Sequence, residues 1–271
     1  KIFISSGATA PSLVLLMPQY LYLAAFGDNV QGAAGAEYAY NALHIKKAVL
    51  IYDKDMEYTS TLASYFTAAF VRAGGTIALV KSFSHGKFAN DIIKTIKSQQ
   101  NQPRLIYLAA GPTEVTAAIQ KLRRNGIHAI IMGGDSYVAN DIIRKLSHHA
   151  DTIYFTTHVF LNPNSTNPKV REFIKLYRAK FHTTPHNAFS ALAYDTANLI
   201  AYTLNKANGF SAKDFIKALA TVHNFVGVTG KISYAGGRHI PLKTVSIVRI
   251  HNNKATLAAR LVPAFVPQPI R

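Results

Sequence analysis

Asp135 closes the run Ile130-Ile131-Met132-Gly133-Gly134-Asp135, so its carboxylate stands at the carboxyl end of an apolar strand. Sheets of the parallel kind bind their ligands at that end. The chain has only 13 acids against 30 Lys and Arg. A carboxylate in such a place suits a ligand cation, and capping a following helix is the structural alternative. The turn Ser6-Gly7-Ala8-Thr9 also follows a strand. Gly7 permits close backbone approach, and Thr9 brings a hydroxyl and an N–H that can hold a carboxylate. An ordinary strand-to-helix turn would use the same residues. Tyr58 opens a helix after Asp53-Lys54-Asp55-Met56-Glu57, where an aromatic ring either covers a ligand or packs half exposed. An anion cradle and a carboxylate together suit a zwitterion such as an amino acid.

Other chemistries lack their residues. There are no cysteines, which excludes disulfides, thiolate metal sites and Cys nucleophiles. The sequence holds no G-x-G-x-x-G, no Walker loop, no G-x-S-x-G and no H-E-x-x-H. His148 and His149 are adjacent, so both cannot face one ion from a helix. Asp53 to Glu57 imitates the start of a calcium loop, but glycine is missing from the sixth position and Ser64 stands at the twelfth. The hydroxyl-rich turn Ser5-Ser6 has no identifiable His partner. No catalytic residue, metal or cofactor is therefore expected.

The elements that must position these residues alternate. Strands are expected at 2–4, 22–25, 48–52, 76–80, 105–109, 129–132 and 153–156. Helices are expected at about 29–43, 58–73, 88–98 and 113–125, two of them closed by Gly74-Gly75 and Gly126. Short apolar strands alternating with helices mean parallel βαβ units. After Thr157 the texture changes to helices at about 168–181, 187–207 and 211–221. Strands at 230–234 and 245–250 and a Pro-rich tail close the chain. A second lobe built on the later helices is expected.

The net charge of +17 would suit nucleic acid or an anionic surface. The basic residues are nevertheless dispersed, as in Lys46-Lys47, Lys121/Arg123/Arg124 and Arg171/Lys175/Arg178/Lys180, at spacings that read as solvated helix faces. No nucleic-acid-binding motif accompanies them, and no nucleic-acid partner is expected. No apolar run reaches the roughly 18–20 residues that span a bilayer, and no signal peptide or lipidation motif is read.

Several segments carry a family likeness. They are Ile4-Ser5-Ser6-Gly7-Ala8-Thr9-Ala10-Pro11, Phe26-Gly27-Asp28-Asn29-Val30-Gln31-Gly32, Tyr52-Asp53 to Tyr58 and Met132-Gly133-Gly134-Asp135. Further on come Tyr154-Phe155-Thr156-Thr157-His158, Ala193-Tyr194-Asp195 and Phe225-Val226-Gly227-Val228-Thr229-Gly230. The chain resembles the periplasmic substrate-binding proteins of branched-chain amino acid ABC transporters, the leucine/isoleucine/valine type.

The resemblance implies an α/β, type I periplasmic-binding-protein fold of two doubly wound lobes with crossing hinge strands. Residues 1–27 and 158–240 would form lobe one, and 28–157 with 241–271 lobe two and the C-terminal return. The N-terminal part of lobe one that the family has is absent from this sequence. That absence would imply exposed apolar surface, and with it a swapped chain, a paired chain or a piece of a longer ordered protein. The family's ligand positions fall on Gly7, Ala8 and Thr9, on the covering aromatic Tyr58, and on Asp135, which would meet the ligand ammonium. A second aromatic of some members falls on Gly111. The implied function is capture of a small amino acid or related solute in an inter-lobe cleft, outside the cytoplasm, and delivery to a membrane permease. A ligand-binding sensor or receptor domain of the same fold is the alternative.

Overall fold

The computed structural model describes residues 1–84, 86–99 and 102–270, His148 by its backbone alone. In chain order the elements begin with β1 (Phe3–Ser5), α1 (Ser12–Leu16), β2 (Leu21–Leu23), α2 (Asp28–Glu37) and a π-helical turn at Tyr38–Ala42. Then come β3 (Lys47–Asp53), α3 (Glu57–Arg72), β4 (Thr76–Phe83), α4 (Asn90–Lys97), β5 (Leu105–Ala109), α5 (Pro112–Arg124), β6 (Ile130–Gly133), α6 (Ala139–Leu146) and β7 (Ile153–Thr157). The remainder is α7 (Pro168–Phe181), α8 (Ala188–Leu204), α9 (Ala212–Leu219), β8 (Phe225–Gly227), β9 (Gly230–Ile232), β10 (Val245–His251) and β11 (Lys254–Leu261). The chain divides into two compact units. The first comprises Lys1–Gly27 with His158–Val245, and the second Asp28–Thr157 with Ser246–Gln268.

The second unit is built on a seven-stranded sheet of order β11-β10-β7-β6-β5-β3-β4. Strands β3 to β7 run parallel, joined by α3 to α6, as the alternating pattern requires. All five residues of β5 are buried, the mark of a strand covered on both faces. Helices α2 and α3 pack closely because Gly32 meets α3: a Cβ there would lie 2.9 Å from Phe66 N and from Tyr65 Cβ. Phe66 stacks on Tyr107 at 3.8 Å and on Phe70 at 5.3 Å, at the centre of this core.

The last two strands depart from the parallel scheme. β10 pairs antiparallel with β7, Val248 opposite Phe155. It then turns through Asn252 and Asn253, both at positive φ (48° and 58°), into β11. Asparagine tolerates that backbone in a two-residue hairpin. β11 escapes the sequence reading because its side chains alternate between half-buried and exposed, as edge strands do. α1, α6 and β8 are likewise too short or too polar to stand out.

Among the described residues the first unit has no comparable sheet. β1 and β2 form a two-stranded parallel pair, Phe3 opposite Leu21 and Ser5 opposite Leu23. β8 and β9 form a separate antiparallel pair. Its core is helical: Leu199, Phe215 and Leu219 pack with Tyr22, Val222, Ile232 and Tyr234. Val170, Phe173 and Ile174 of α7 form another cluster with Ala191 and Val228. Phe3, Leu16 and Phe210 are 62%, 78% and 102% exposed.

The reading of the basic residues as solvated faces needs correction at two places. Arg123 is buried, donating from Nη1 to the carbonyls of Ile127 (2.8 Å) and Ala129 (2.9 Å) and from Nη2 to that of Asp151 (3.0 Å). It closes the end of α5 by satisfying carbonyls that the loop leaves open. Burial lowers its pKa. Lys243 is also buried, for a reason taken up below.

Candidate functional site

In the second unit, Asp135 follows β6 and enters a buried polar cluster. Its Oδ1 accepts the hydroxyl of Tyr58 at 2.8 Å and Nε2 of Gln31 at 3.2 Å. Tyr58 arrives from the first turn of α3 and Gln31 from α2. Gln31 uses both ends of its amide. Nε2 also donates to Asp28 Oδ1 (2.7 Å), while Oε1 accepts the Asp135 backbone N–H (3.1 Å) and the Thr156 hydroxyl (2.9 Å). One neutral side chain thus holds two buried carboxylates in fixed positions.

Gly134 makes this possible. A Cβ there would fall 2.4 Å from the Tyr58 hydroxyl and 2.6 Å from Leu62 Cδ2. The Gly-Gly-Asp sequence is therefore a close-packing requirement. Burial, then the Asp135 and Asp28 charges, push the Tyr58 pKa well up, so its hydroxyl remains a donor. Burial does the same to Tyr107, whose hydroxyl has no hydrogen-bond partner among the described residues.

Gly111 takes the N-cap position of α5, its carbonyl receiving the N–H groups of Glu114 (3.1 Å) and Val115 (3.0 Å). A Cβ at Gly111 would lie 2.5 Å from Glu114 Oε2 and 3.1 Å from Met56 Sδ. An aromatic ring at that position would have to displace both side chains.

The remaining sequence-derived positions lie in the first unit. Ser5 Oγ accepts the Ala8 N–H at 3.0 Å, fixing the turn after β1. That donor is engaged within the turn. Thr9 is buried, and its hydroxyl has no partner among the described residues. A Cβ on Gly7 would lie 3.4 Å from the Phe189 ring. His158 stacks on Phe26 at 3.7 Å and meets Phe189 edge-on at 6.1 Å. The structure thus brings Tyr58 and Asp135 into direct contact in one unit. It places Gly7, Ala8 and Thr9 on one turn in the other.

Sequence reasoning missed Gln31, Asp28 and Thr156 as members of the Asp135 cluster. The available signal was Asp28-Asn29-Val30-Gln31 inside a helix of small residues, where polar side chains had no obvious aqueous face.

A second buried polar group explains two of the quoted segments in the first unit. Asp195 of α8 accepts the N–H groups of Val228 and Thr229, each at 2.7 Å, and the Thr229 hydroxyl at 2.6 Å. Lys243 Nζ donates to that hydroxyl (2.7 Å) and to the Ala24 carbonyl (3.2 Å). Gly227 leaves room for the carboxylate, since a Cβ there would lie 2.5 Å from Asp195 Oδ2. Burial lowers the Lys243 pKa to about 7, with the Asp195 charge opposing. This group ties the β8–β9 turn to α8.

The sequence profile of the periplasmic binding protein family matches residues 2–255. A Leu/Ile/Val-binding protein homologue of Brucella abortus is 24% identical over 194 residues, 68% of this chain and 46% of its own length. A leucine-, isoleucine-, valine-, threonine- and alanine-binding protein of Pseudomonas aeruginosa is 22% identical over 86% of this chain and 61% of its own length. The chain thus spans about half to three fifths of these curated relatives. Among solved structures, a branched-chain amino acid transporter substrate-binding protein of Streptococcus pneumoniae in complex with isoleucine is 27% identical, with a TM-score of 0.79. That match covers 98% of this chain and 73% of the other. A leucine-binding protein of Thermotoga maritima shares the fold, with a TM-score of 0.82 over 97% of this chain and 73% of that one, at 24% identity. The family and these neighbours are substrate-binding proteins, not enzymes.

Proposed function

The chain belongs to the periplasmic binding protein family and has its type I fold, and from that premise we propose that it binds a small amino acid or related solute outside the cytoplasm and delivers it to the permease of an ABC transporter. In this reading Asp135 receives the ligand ammonium group beside Tyr58. The turn Gly7-Ala8-Thr9 meets its carboxylate, with Thr9 supplying the hydroxyl. Gly111 leaves its position without an aromatic wall, which bears on ligand size. Residues 1–27 with 158–240, and 28–157 with 241–271, would serve as the two lobes.

The single observation that carries the reading is the 2.8 Å hydrogen bond between Tyr58 and Asp135, residues 77 positions apart. Both are positions that the family resemblance assigns to ligand. The Tyr58 hydroxyl, kept protonated by burial, donates to Oδ1 and orients the carboxylate for an ammonium group. The names of the relatives support an aliphatic amino acid as the ligand class. A swapped or paired chain has no support in those relatives and forms no part of the reading.

Calorimetric titration with leucine, isoleucine, valine, threonine and alanine tests the proposal. Binding of at least one is expected. Asp135→Ala should weaken it by about 2–5 kcal/mol, because the ammonium loses a charge-assisted partner. Unchanged affinity in Asp135→Ala would remove the assignment, and no binding by the parent chain would overturn the function.

A further inference from the structure

The amino-terminal edge of the parallel sheet in the second unit carries a cleft distinct from the Asp135 cluster. Its volume is about 530 Å³, within the range of small-molecule sites. Four basic side chains line it: His44, Lys46, Lys47 and Arg104. No acid does. The floor is made by Ile45, Ala48 and Val49 where β3 begins.

Two of these cations stand where neighbouring strands of the sheet begin. β3 and β5 run parallel with Val49 opposite Ile106 and Leu50 opposite Tyr107. Lys47 is the first residue of β3, and Arg104 directly precedes β5. Neighbouring strands lie about 4.8 Å apart. Like charges so placed repel each other. On the other side of β3 the pairing with β4 shifts between Ala48 and Val49, so that Ile77 and then Leu79 are the partners. Ala78, the residue skipped, lines the cleft. None of His44, Lys46, Lys47 and Arg104 makes an ion pair among the described residues. At the same end of the sheet, Asp151 before β7 is engaged by His251 at 2.5 Å, with β6 between β7 and β5.

Adjacent, unneutralised cations around a concave apolar floor form an arrangement that a multivalent anion relieves. Arginine presents a planar fork and lysine a compact charge, the pair of donors that phosphate oxygens take up best. We propose that this cleft is an anion site for a multiply charged phosphate-bearing ligand, Lys47 and Arg104 gripping the phosphate and Lys46 and His44 flanking it. A soluble polyphosphate and a phospholipid headgroup share that chemistry. The site does not depend on the amino-acid reading above.

Sodium tripolyphosphate titrated calorimetrically into the whole chain at about 0.15 M salt is the first arm. There, exposed charges farther apart than about 8 Å are largely screened. Co-sedimentation with phosphatidylglycerol vesicles against phosphatidylcholine vesicles is the second. The test variant is K47A/R104A, both exposed residues, and the control is K175A/K180A, which removes the same charge from the exposed face of α7. A loss of tenfold or more in K47A/R104A, with the control within twofold of the parent, supports the site. Tripolyphosphate binding alone identifies a soluble ligand, and vesicle binding alone a headgroup. Equal losses in both variants would reduce the effect to net charge and overturn the site. So would a parent chain that binds neither probe. A far-UV spectrum and melting curve matching the parent's confirm that K47A/R104A is folded. If it is not, K47Q and R104Q singly replace it, with a threefold loss in each as the supporting result and none as the overturning one.

Discussion

The two units solve the same problem with different means. The second encloses a seven-stranded sheet whose central strand β5 is buried throughout, and its polar cluster hangs on a core that apolar side chains already define. The first has, among its described residues, only two-stranded sheets and packs mainly by helices, leaving Phe3, Leu16 and Phe210 exposed. There the β8–β9 turn is fixed by Asp195, Thr229 and Lys243. The contrast teaches that local order in the first unit leans on a buried polar tie. In the second it leans on packing area.

The sharpest way to break that contrast is Asp195→Ala. It leaves two buried N–H groups and a hydroxyl without their acceptor and removes the carboxylate facing the buried Lys243, so a loss of about 3–5 kcal/mol is expected. Hydrogen exchange should place the loss in 188–204 and 225–232, with β5 amides unchanged. Protection lost evenly over both units would contradict the division. Phe66→Ala is the counterpart. Removing a ring that stacks on both Tyr107 and Phe70 should cost about 3–5 kcal/mol, read in denaturant melts as early exposure of β3 and β5.

Lys243 sharpens the comparison through pH. Its folded pKa of about 7 lies below the ordinary 10.5, so between those values the unfolded chain holds a proton that the folded chain does not. Stability therefore rises with pH across that window. From pH 7 to 9 the gain from this group is about 2 kcal/mol. Lys243→Met should lack that increment when melts of the two proteins are compared pH by pH. Parallel pH profiles would show that the lysine is not desolvated. The smallest effect belongs to the capping box of α9, where Ser211 Oγ accepts the Asp214 N–H at 3.1 Å. Ser211→Ala should cost about 1 kcal/mol, a downward shift of a few degrees in the melting of the first unit.

Much of the second unit was legible because its strands are short apolar runs and its helices have an apolar stripe. The expected strand at 105–109 matches β5 to the residue, and in the first unit the helix expected at about 168–181 matches α7. Periodicity says nothing about polar residues that are buried by choice of partner. Gln31 looked like an ordinary helix residue until Asp28, Asp135 and Thr156 converged on its amide. Arg123 has the spacing of a solvated residue, yet it turns inward to three carbonyls.

The sequence by itself determined the βαβ rhythm from 47 to 157, the change of texture after Thr157, and the glycines and acids that mark the ends of strands. Those features are local, written in side-chain volume and hydropathy at fixed spacing. Only the tertiary structure decided that β10 returns antiparallel beside β7, that Gly134 and Gly227 are needed for close approach, and that Asp195 answers the N–H groups of residues 33 and 34 positions away. Burial and long-range hydrogen bonding set those outcomes. A buried donor or acceptor must find a partner wherever the chain brings one, and the order of residues does not say where that is.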